Sequence, residues 1–290
     1  MSAAPDKRLN VYRADLADSR LRNVVDAAAY VTGAPAGIVA AVANIHARPD
    51  QASECVSQSL YGETVRVFEK KDGWRWIQCD ADGYVGYVEA EDVSDSQPNP
   101  THVVTVPRTF LYDGADLRHR VEIHLSMGSR LKITGTAETR GTRYAITHDR
   151  LAVIASHVAP LDHREADYVA VADRFLETPY LWGGRSGFGL DCSGLVQLAM
   201  AMAGLKAPRD TDMQAAGVGD AVDPGRDYSA LRRGDLVFWK GHVAIMRDRE
   251  SILHASGHTM VVTVEPLAAA VSRIAHLYGP PTGFRRPKIQ

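Results

Sequence analysis

Hydrophobic and polar positions change texture along the chain, and each change predicts a different kind of element. From Ala36 to about Val93 the apolar residues come in short β-rich runs, Ile38–Ile45, Thr64–Phe68, Trp74–Cys79 and Tyr84–Val88. The turn signals Lys71-Asp72-Gly73 and Asp80-Ala81-Asp82-Gly83 set them off, the pattern of a small all-β barrel. Alternation in Trp74-Arg75-Trp76-Ile77-Gln78 predicts a strand with one buried face. The polar, proline-punctuated stretch Ser94-Asp95-Ser96-Gln97-Pro98-Asn99-Pro100 reads as a linker. A second β-rich block follows to Pro160, with strands expected at His102–Val106, Arg130–Thr134, Arg143–Thr147 and Leu151–Ile154 and glycine turns at Gly128, Gly135 and Gly141. The two blocks share length and punctuation but little sequence, so a repeat is suggested by plan alone.

At Glu165 the period becomes helical. Tyr168, Val171, Ala172, Phe175 and Leu176 fall at i, i+3, i+4, i+7 and i+8, and Pro179 stops the run. Leu195, Leu198, Ala199, Met202 and Ala203 repeat that spacing up to Gly204. Strands are then expected at Asp235–Trp239, His242–Arg247, Ser251–Ala255 and Met260–Val264. Helices followed by consecutive strands predict an α+β class, since parallel α/β sheets alternate the two. Residues 1–35 are charged and alanine-rich with no sustained period, an arm or short helices packed on something else. The expected organisation is therefore an arm (1–35), two β modules (36–95 and 101–160) and an α+β domain (165–290).

Composition narrows the function classes. A chain of 290 residues is about two domains' worth at roughly 150 residues each. Its 45% hydrophobic and 23% charged residues make an ordinary globular protein. A net charge of −2 gives no broad electrostatic reason to bind nucleic acid or an anionic membrane. Charges interleave from Asp6 to Asp26 with no apolar secretory core, so a cytoplasmic location is expected. The weakly apolar stretch Ala28 to Ile45 is broken by Pro35, against the about 20 apolar residues a spanning helix needs. Cys55, Cys79 and Cys192 form no CxxC pair, which fits a reducing compartment and buried thiols.

Cys192 stands in Leu190-Asp191-Cys192-Ser193-Gly194, directly before the helix that carries Leu195. A thiol at a helix N-terminus meets the positive end of the backbone dipole, which favours the thiolate. A small buried residue closing the helix is the ordinary alternative, and position alone leaves both open. Cysteine chemistry also needs a base and a group to orient it. His242 begins one expected strand and His254 lies in the next. The connecting Asp248-Arg249-Glu250 turn makes those strands antiparallel neighbours, which brings the imidazoles within reach.

With these residues in hand, the C-terminal domain resembles the NlpC-type cell-wall cysteine peptidases, whose core is papain-like. The matching segments are Thr178-Pro179-Tyr180-Leu181-Trp182-Gly183-Gly184, Asp191-Cys192-Ser193-Gly194-Leu195-Val196 and Pro208-Arg209-Asp210-Thr211-Asp212-Met213-Gln214. They continue in Leu231-Arg232-Arg233-Gly234-Asp235-Leu236-Val237-Phe238-Trp239 and Gly241-His242-Val243-Ala244-Ile245. The preceding blocks resemble, more diffusely, the bacterial SH3-like modules fused to such peptidases. The fold so implied is α+β: a papain-like NlpC-type domain preceded by two small SH3-like β-barrels. By resemblance, Cys192 is the nucleophile, His242 the general base and acid, and His254 the orienting third member, with Tyr180 beside the cleft supporting the oxyanion or the substrate backbone.

Relatives with SH3-like modules include γ-D-glutamyl-L-diamino-acid endopeptidases of the dipeptidyl-peptidase VI type, which cut murein stem peptides bearing a free N-terminal L-alanine. The resemblance implies that Asp191 and Ser193 hold the substrate's amino end, that Thr211 lines a further pocket, and that Glu54, in the long first loop of module one, adds a second carboxylate. A buried carboxylate paired with an ammonium disfavours a substrate still attached to glycan, which lacks that charge. The expected role is thus recycling of detached wall peptides, with no cofactor. A wall-peptide binding protein with a decayed site, and an amidase or acyltransferase on the same core, are the alternatives. Gly183-Gly184-Arg185-Ser186-Gly187-Phe188-Gly189 lacks the ending of a phosphate-binding loop. His119, His124, His148, His157 and His163 show no repeated metal spacing and read as solvated surface, so no metal is expected.

Overall fold

A computed structural model of the chain describes residues 4–96 and 99–288. Gln97 and Pro98 of the expected linker, and the first three residues of the expected arm, lie outside the described residues. The chain divides into two compact units, Met1–Leu161 and Asp162–Gln290.

The first unit is built mainly from antiparallel sheets, with one parallel pair, Leu16–Asp18 and Ala29–Val31, in the arm. Strands Ala34–Ile38, Val42–His46, Cys55–Leu60, Thr64–Lys71, Trp74–Cys79, Val85–Glu89 and Val93–Ser94 form one seven-stranded sheet. It closes over Ile38, Ile45, Val65, Ile77 and Val88, all fully buried. The apolar run Ile38–Ile45 is two strands, not one: Val39 is 44% exposed and the chain turns between Ile38 and Val42. The arm packs on this sheet. Val11 is buried against Phe68 and Trp76, and the Arg13 guanidinium lies 4.3 Å over the Trp76 ring while bonding Glu69 at 2.8 Å. Residues 102–160 form a three-stranded and a five-stranded sheet around Val104, Leu111, Leu125, Leu131 and Val153. The expected strand Arg130–Thr134 is divided there, Arg130–Leu131 pairing in the small sheet and Ile133–Thr139 in the larger one.

The second unit combines four helices with a six-stranded antiparallel sheet. The helices are α1 (Tyr168–Asp173), α2 (Cys192–Met202), α3 (Thr211–Gly217) and α4 (Leu267–Tyr278). The strands are β1 (Asp220–Ala221), β2 (Leu236–Trp239), β3 (His242–Met246), β4 (Ser251–Ser256), β5 (Val261–Pro266) and β6 (Gly283–Arg286), in sheet order β1-β6-β2-β3-β4-β5. Asp167 caps α1 by accepting from the Val169 N–H at 2.8 Å. Its apolar face ends earlier than its spacing suggests: Phe175 is buried, but the helix has closed at Arg174 and Leu176 is 38% exposed. Helix α2 packs against β3 and β4, and Gly204, at φ 76°, terminates it in the left-handed conformation that glycine adopts without strain. Helix α4 sets Leu267, Ala270 and Ile274 against Ala244, Met246 and Ile252 of the sheet. Among the described residues no helix is long and apolar enough to cross a membrane.

Candidate active site

Cys192 is the first residue of α2, and Asp191 is its N-cap. The Asp191 carboxylate accepts from the Gly194 N–H at 2.7 Å, satisfying one of the donors a helix start leaves open. The chain reaches this point through a tight backbone approach. The Gly184 carbonyl oxygen lies where a side chain on Gly194 would begin, at 2.1 Å from an ideal Cβ, and the Asp191 N–H donates to that same carbonyl at 3.1 Å. Glycine at the third helical position is therefore a steric requirement. The segment before Gly184 is pinned to β5, with the Tyr180 N–H donating to the Met260 carbonyl at 2.8 Å and Pro179 bridging to Val261.

Around the sulfur, the Thr211 hydroxyl lies 3.8 Å from Cys192 Sγ, and the backbone N–H of Val243 donates to it. Val243 is the residue after His242, so β3 brings its first turn of side chains to the start of α2. The β3–β4 hairpin places His242 Nε2 2.8 Å from His254 Nδ1, with the rings edge to face. His254 is buried in β4.

Burial dominates the electrostatics of this group. It pushes the Cys192 thiol up to about 11, with Asp191 adding and the Val243 N–H, Thr211 and Arg209 opposing. It holds His242 down to about 3, with His254 and Arg273 adding to the effect and Glu265 opposing it. A thiol raised from 9.0 to about 11 is disfavoured as thiolate by about 3 kcal/mol. A helix N-terminus returns about 0.3–1 kcal/mol, and about 2 at most. Desolvation wins, so the resting pair is a thiol and a neutral imidazole. Burial, with Cys192 and Asp191 nearby, also pushes the Tyr180 phenol up, which keeps it protonated as a donor.

Asp191 and Ser193 have inward partners. Arg209, 1% exposed, donates to Asp191 Oδ2 at 2.5 Å and Oδ1 at 3.0 Å, and to the Ser193 hydroxyl at 2.9 Å. Ser193 in turn donates to Asp191 Oδ1 at 3.2 Å. The expected amine-holding carboxylate is thus already neutralised by a buried guanidinium. Arg209 was legible as part of the Pro208-Arg209-Asp210-Thr211 segment but carried no role there. Gln214 Nε2 ties the segment to α2 by donating to the Ser193 and Pro208 carbonyls. Glu54 is exposed, just ahead of strand Cys55–Leu60 in the first unit. Glu265 and Arg273, which the sequence did not single out, stand behind His254.

The profile of the NlpC/P60 family matches residues 177–275, the span that holds Tyr180, Cys192, His242 and His254. Residues 177–275 form an NlpC/P60 cysteine-peptidase domain. Ahead of the NlpC/P60 domain, residues 45–93 match the bacterial dipeptidyl-peptidase SH3 domain. A dipeptidyl-peptidase 6 of Lysinibacillus sphaericus is 28% identical over 241 residues, 76% of this chain and 86% of that protein. A γ-D-glutamyl-L-lysine dipeptidyl-peptidase of Bacillus cereus is 26% identical over 245 residues, 74% of this chain and 72% of that protein. The crystal structure of an NlpC/P60 family protein from Bacillus cereus superposes with a TM-score of 0.71 at 22% identity, over 87% of this chain and 99% of that one, a likeness of fold.

Proposed function

We propose that this NlpC/P60 peptidase hydrolyses the γ-D-glutamyl bond to the diamino acid, diaminopimelate, of murein stem peptides that carry a free N-terminal L-alanine. The observation that carries the proposal is the sulfur at the start of α2 accepting from the Val243 N–H, the residue after His242, whose Nε2 lies 2.8 Å from His254 Nδ1. Support for the bond comes from the relatives named for γ-D-glutamyl-L-lysine cleavage and from the dipeptidyl-peptidase SH3 domain.

With His242 Nε2 engaged by His254, its Nδ1 is the nitrogen left for the thiol. The Cys192 S–H bond breaks as the proton passes to Nδ1, and the sulfur's electron pair forms a bond to the γ-glutamyl carbonyl carbon. Cys192 backbone N–H and the Tyr180 hydroxyl stabilise the resulting oxyanion. The C–N bond then breaks, His242 delivers its proton to the leaving amine of the diamino acid, and a thioester remains. Water, deprotonated by His242, attacks the thioester and restores the thiol.

Recognition of the amino end falls to Asp191 and Ser193, with Thr211 lining the pocket beside the sulfur. Asp191, held by Arg209, also fixes the start of α2 through the Gly194 N–H. A stem peptide gains a free amine only after release from glycan, so the reaction belongs to recycling of detached fragments, in the cytoplasm. The second β block, residues 101–160, completes the plan as a further SH3-like module, between module one (36–95) and the catalytic domain (165–290), with the arm (1–35) ahead.

A mass-spectrometric digest comparing L-Ala-γ-D-Glu-diaminopimelate, its N-acetylated form and intact peptidoglycan tests class, bond and terminus together. Release of L-Ala-D-Glu from the free tripeptide, with much slower cleavage of the other two, is expected. No cleavage by folded protein would favour a binding role, and equal cleavage of the acetylated form would remove the amine pocket.

A further inference from the structure

The path from the sulfur into the sheet continues past His254. His254 Nε2, buried and with no in-line hydrogen-bond partner, faces Glu265 Oε1 at 2.9 Å. Arg273 of α4 donates to the same oxygen. The register explains the placement. His254 pairs with Thr263 and Ile252 with Glu265, so Glu265 is the diagonal neighbour of His254 on one face of the β4–β5 ladder. Helix α4, docked on that sheet through Leu267, Ala270 and Ile274, carries Arg273 to the carboxylate.

A histidine between a histidine and a carboxylate has a preferred tautomer. With an anion at Nε2, the ring keeps its proton there and presents Nδ1 as an acceptor. That acceptor takes the N–H of His242 Nε2, 2.8 Å away, and leaves His242 Nδ1 bare. The reverse tautomer of His254 would put its proton toward His242 and the bare nitrogen of His242 away from the thiol. We propose that Glu265 is a positioning residue of the peptidase site: through His254 it fixes the tautomer that keeps His242 Nδ1 ready for the Cys192 proton, and it stabilises the imidazolium formed on transfer. The proposal rests on the roles given above to Cys192 and His242. No proton needs to reach Glu265; the one that moves breaks from sulfur and bonds to His242 Nδ1.

The charged and titratable groups acting on His242 are His254, Glu265 of β5 and Arg273 of α4, while Asp191, Arg209 and Tyr278 of α4 act with Cys192 on Tyr180. On His242 the two charges act in opposite directions, the Glu265 anion favouring its protonated form and the Arg273 cation opposing it. Those charges act on His242 whatever holds α4 to β5, so the tautomer of His254 is the readout that separates positioning from a mere strap.

The test uses the full chain and the tripeptide L-Ala-γ-D-Glu-diaminopimelate. Glu265→Gln should lower kcat about 10- to 100-fold with KM changed by less than about 2-fold, and move the acid limb of kcat/KM to lower pH. Arg273→Met should move that limb to higher pH. A fall in kcat without opposed shifts would overturn the proposal, as would unchanged profiles. Imidazole 15N spectra of the wild type decide the point without turnover or a folded variant: His254 is expected as the Nε2–H tautomer, and an Nδ1–H form would overturn it. If the wild type fails to cut the tripeptide while His254 shows the expected tautomer, the substrate assignment falls and the Glu265 arrangement stands.

Discussion

At Cys192 two effects of comparable kind oppose each other, and their sizes decide the resting state. Loss of water around the sulfur outweighs the helix dipole, so the thiol holds its proton until substrate and His242 take it. Iodoacetamide should therefore alkylate Cys192 slowly at neutral pH, with a rate that climbs toward the thiol's value of about 11; rapid alkylation at pH 6 would indicate a resting thiolate–imidazolium pair. Cys192→Ala should abolish hydrolysis while leaving thermal unfolding nearly unchanged. Arg209 illustrates what the residue pattern alone could not convey. The sequence displayed Asp191 as an acid beside the nucleophile, but its charge partner lies 18 positions later and is apparent only in three dimensions. Arg209→Met leaves Asp191 buried without its cation and should cost about 3–5 kcal/mol in urea unfolding. Glu265 adds a pH dependence. Burial pushes its carboxyl up, but the His254 and Arg273 contacts outweigh this and hold it at about 2 against an ordinary 4.5. Its folded-state value is depressed, so its contribution to stability is full above pH 4.5 and is lost as pH falls toward 2.

At the scale of elements, the start of α2 is fixed by backbone contact more than by side chains. Gly194→Ala would drive a methyl into the Gly184 carbonyl, so the variant should lose stability by about 1–3 kcal/mol and displace the thiol, read as lower Tm together with lower activity. The hairpin that unites His242 and His254 was legible because the Asp248-Arg249-Glu250 turn is short and both flanking runs are apolar. Helix α4 was not read, although Leu267, Ala270, Val271 and Ile274 follow a helical spacing, because the alanines around them blur the contrast between faces. With α4 unread, Arg273 and its hold on Glu265 were out of sight. In the first unit, Arg108–Tyr112 escaped because its outward Phe110 spoils a clean alternation, whereas Val121–Ser126 escaped although Val121, Ile123 and Leu125 alternate with polar residues.

For the whole molecule, an SH3-like domain and an NlpC/P60 domain in one chain narrow the substrate to peptides of the bacterial wall, and the catalytic unit supplies the bond-breaking chemistry. The order of motifs was visible in the sequence because each glycine, cysteine and histidine in it answers a local geometric demand. The most direct measurement is the mass spectrum of L-Ala-γ-D-Glu-diaminopimelate after incubation with the wild type and with Cys192→Ala. The expected result is L-Ala-D-Glu and diaminopimelate from the wild type alone; an intact tripeptide in both reactions, or the same products from both, would contradict a cysteine peptidase acting at the γ-glutamyl bond.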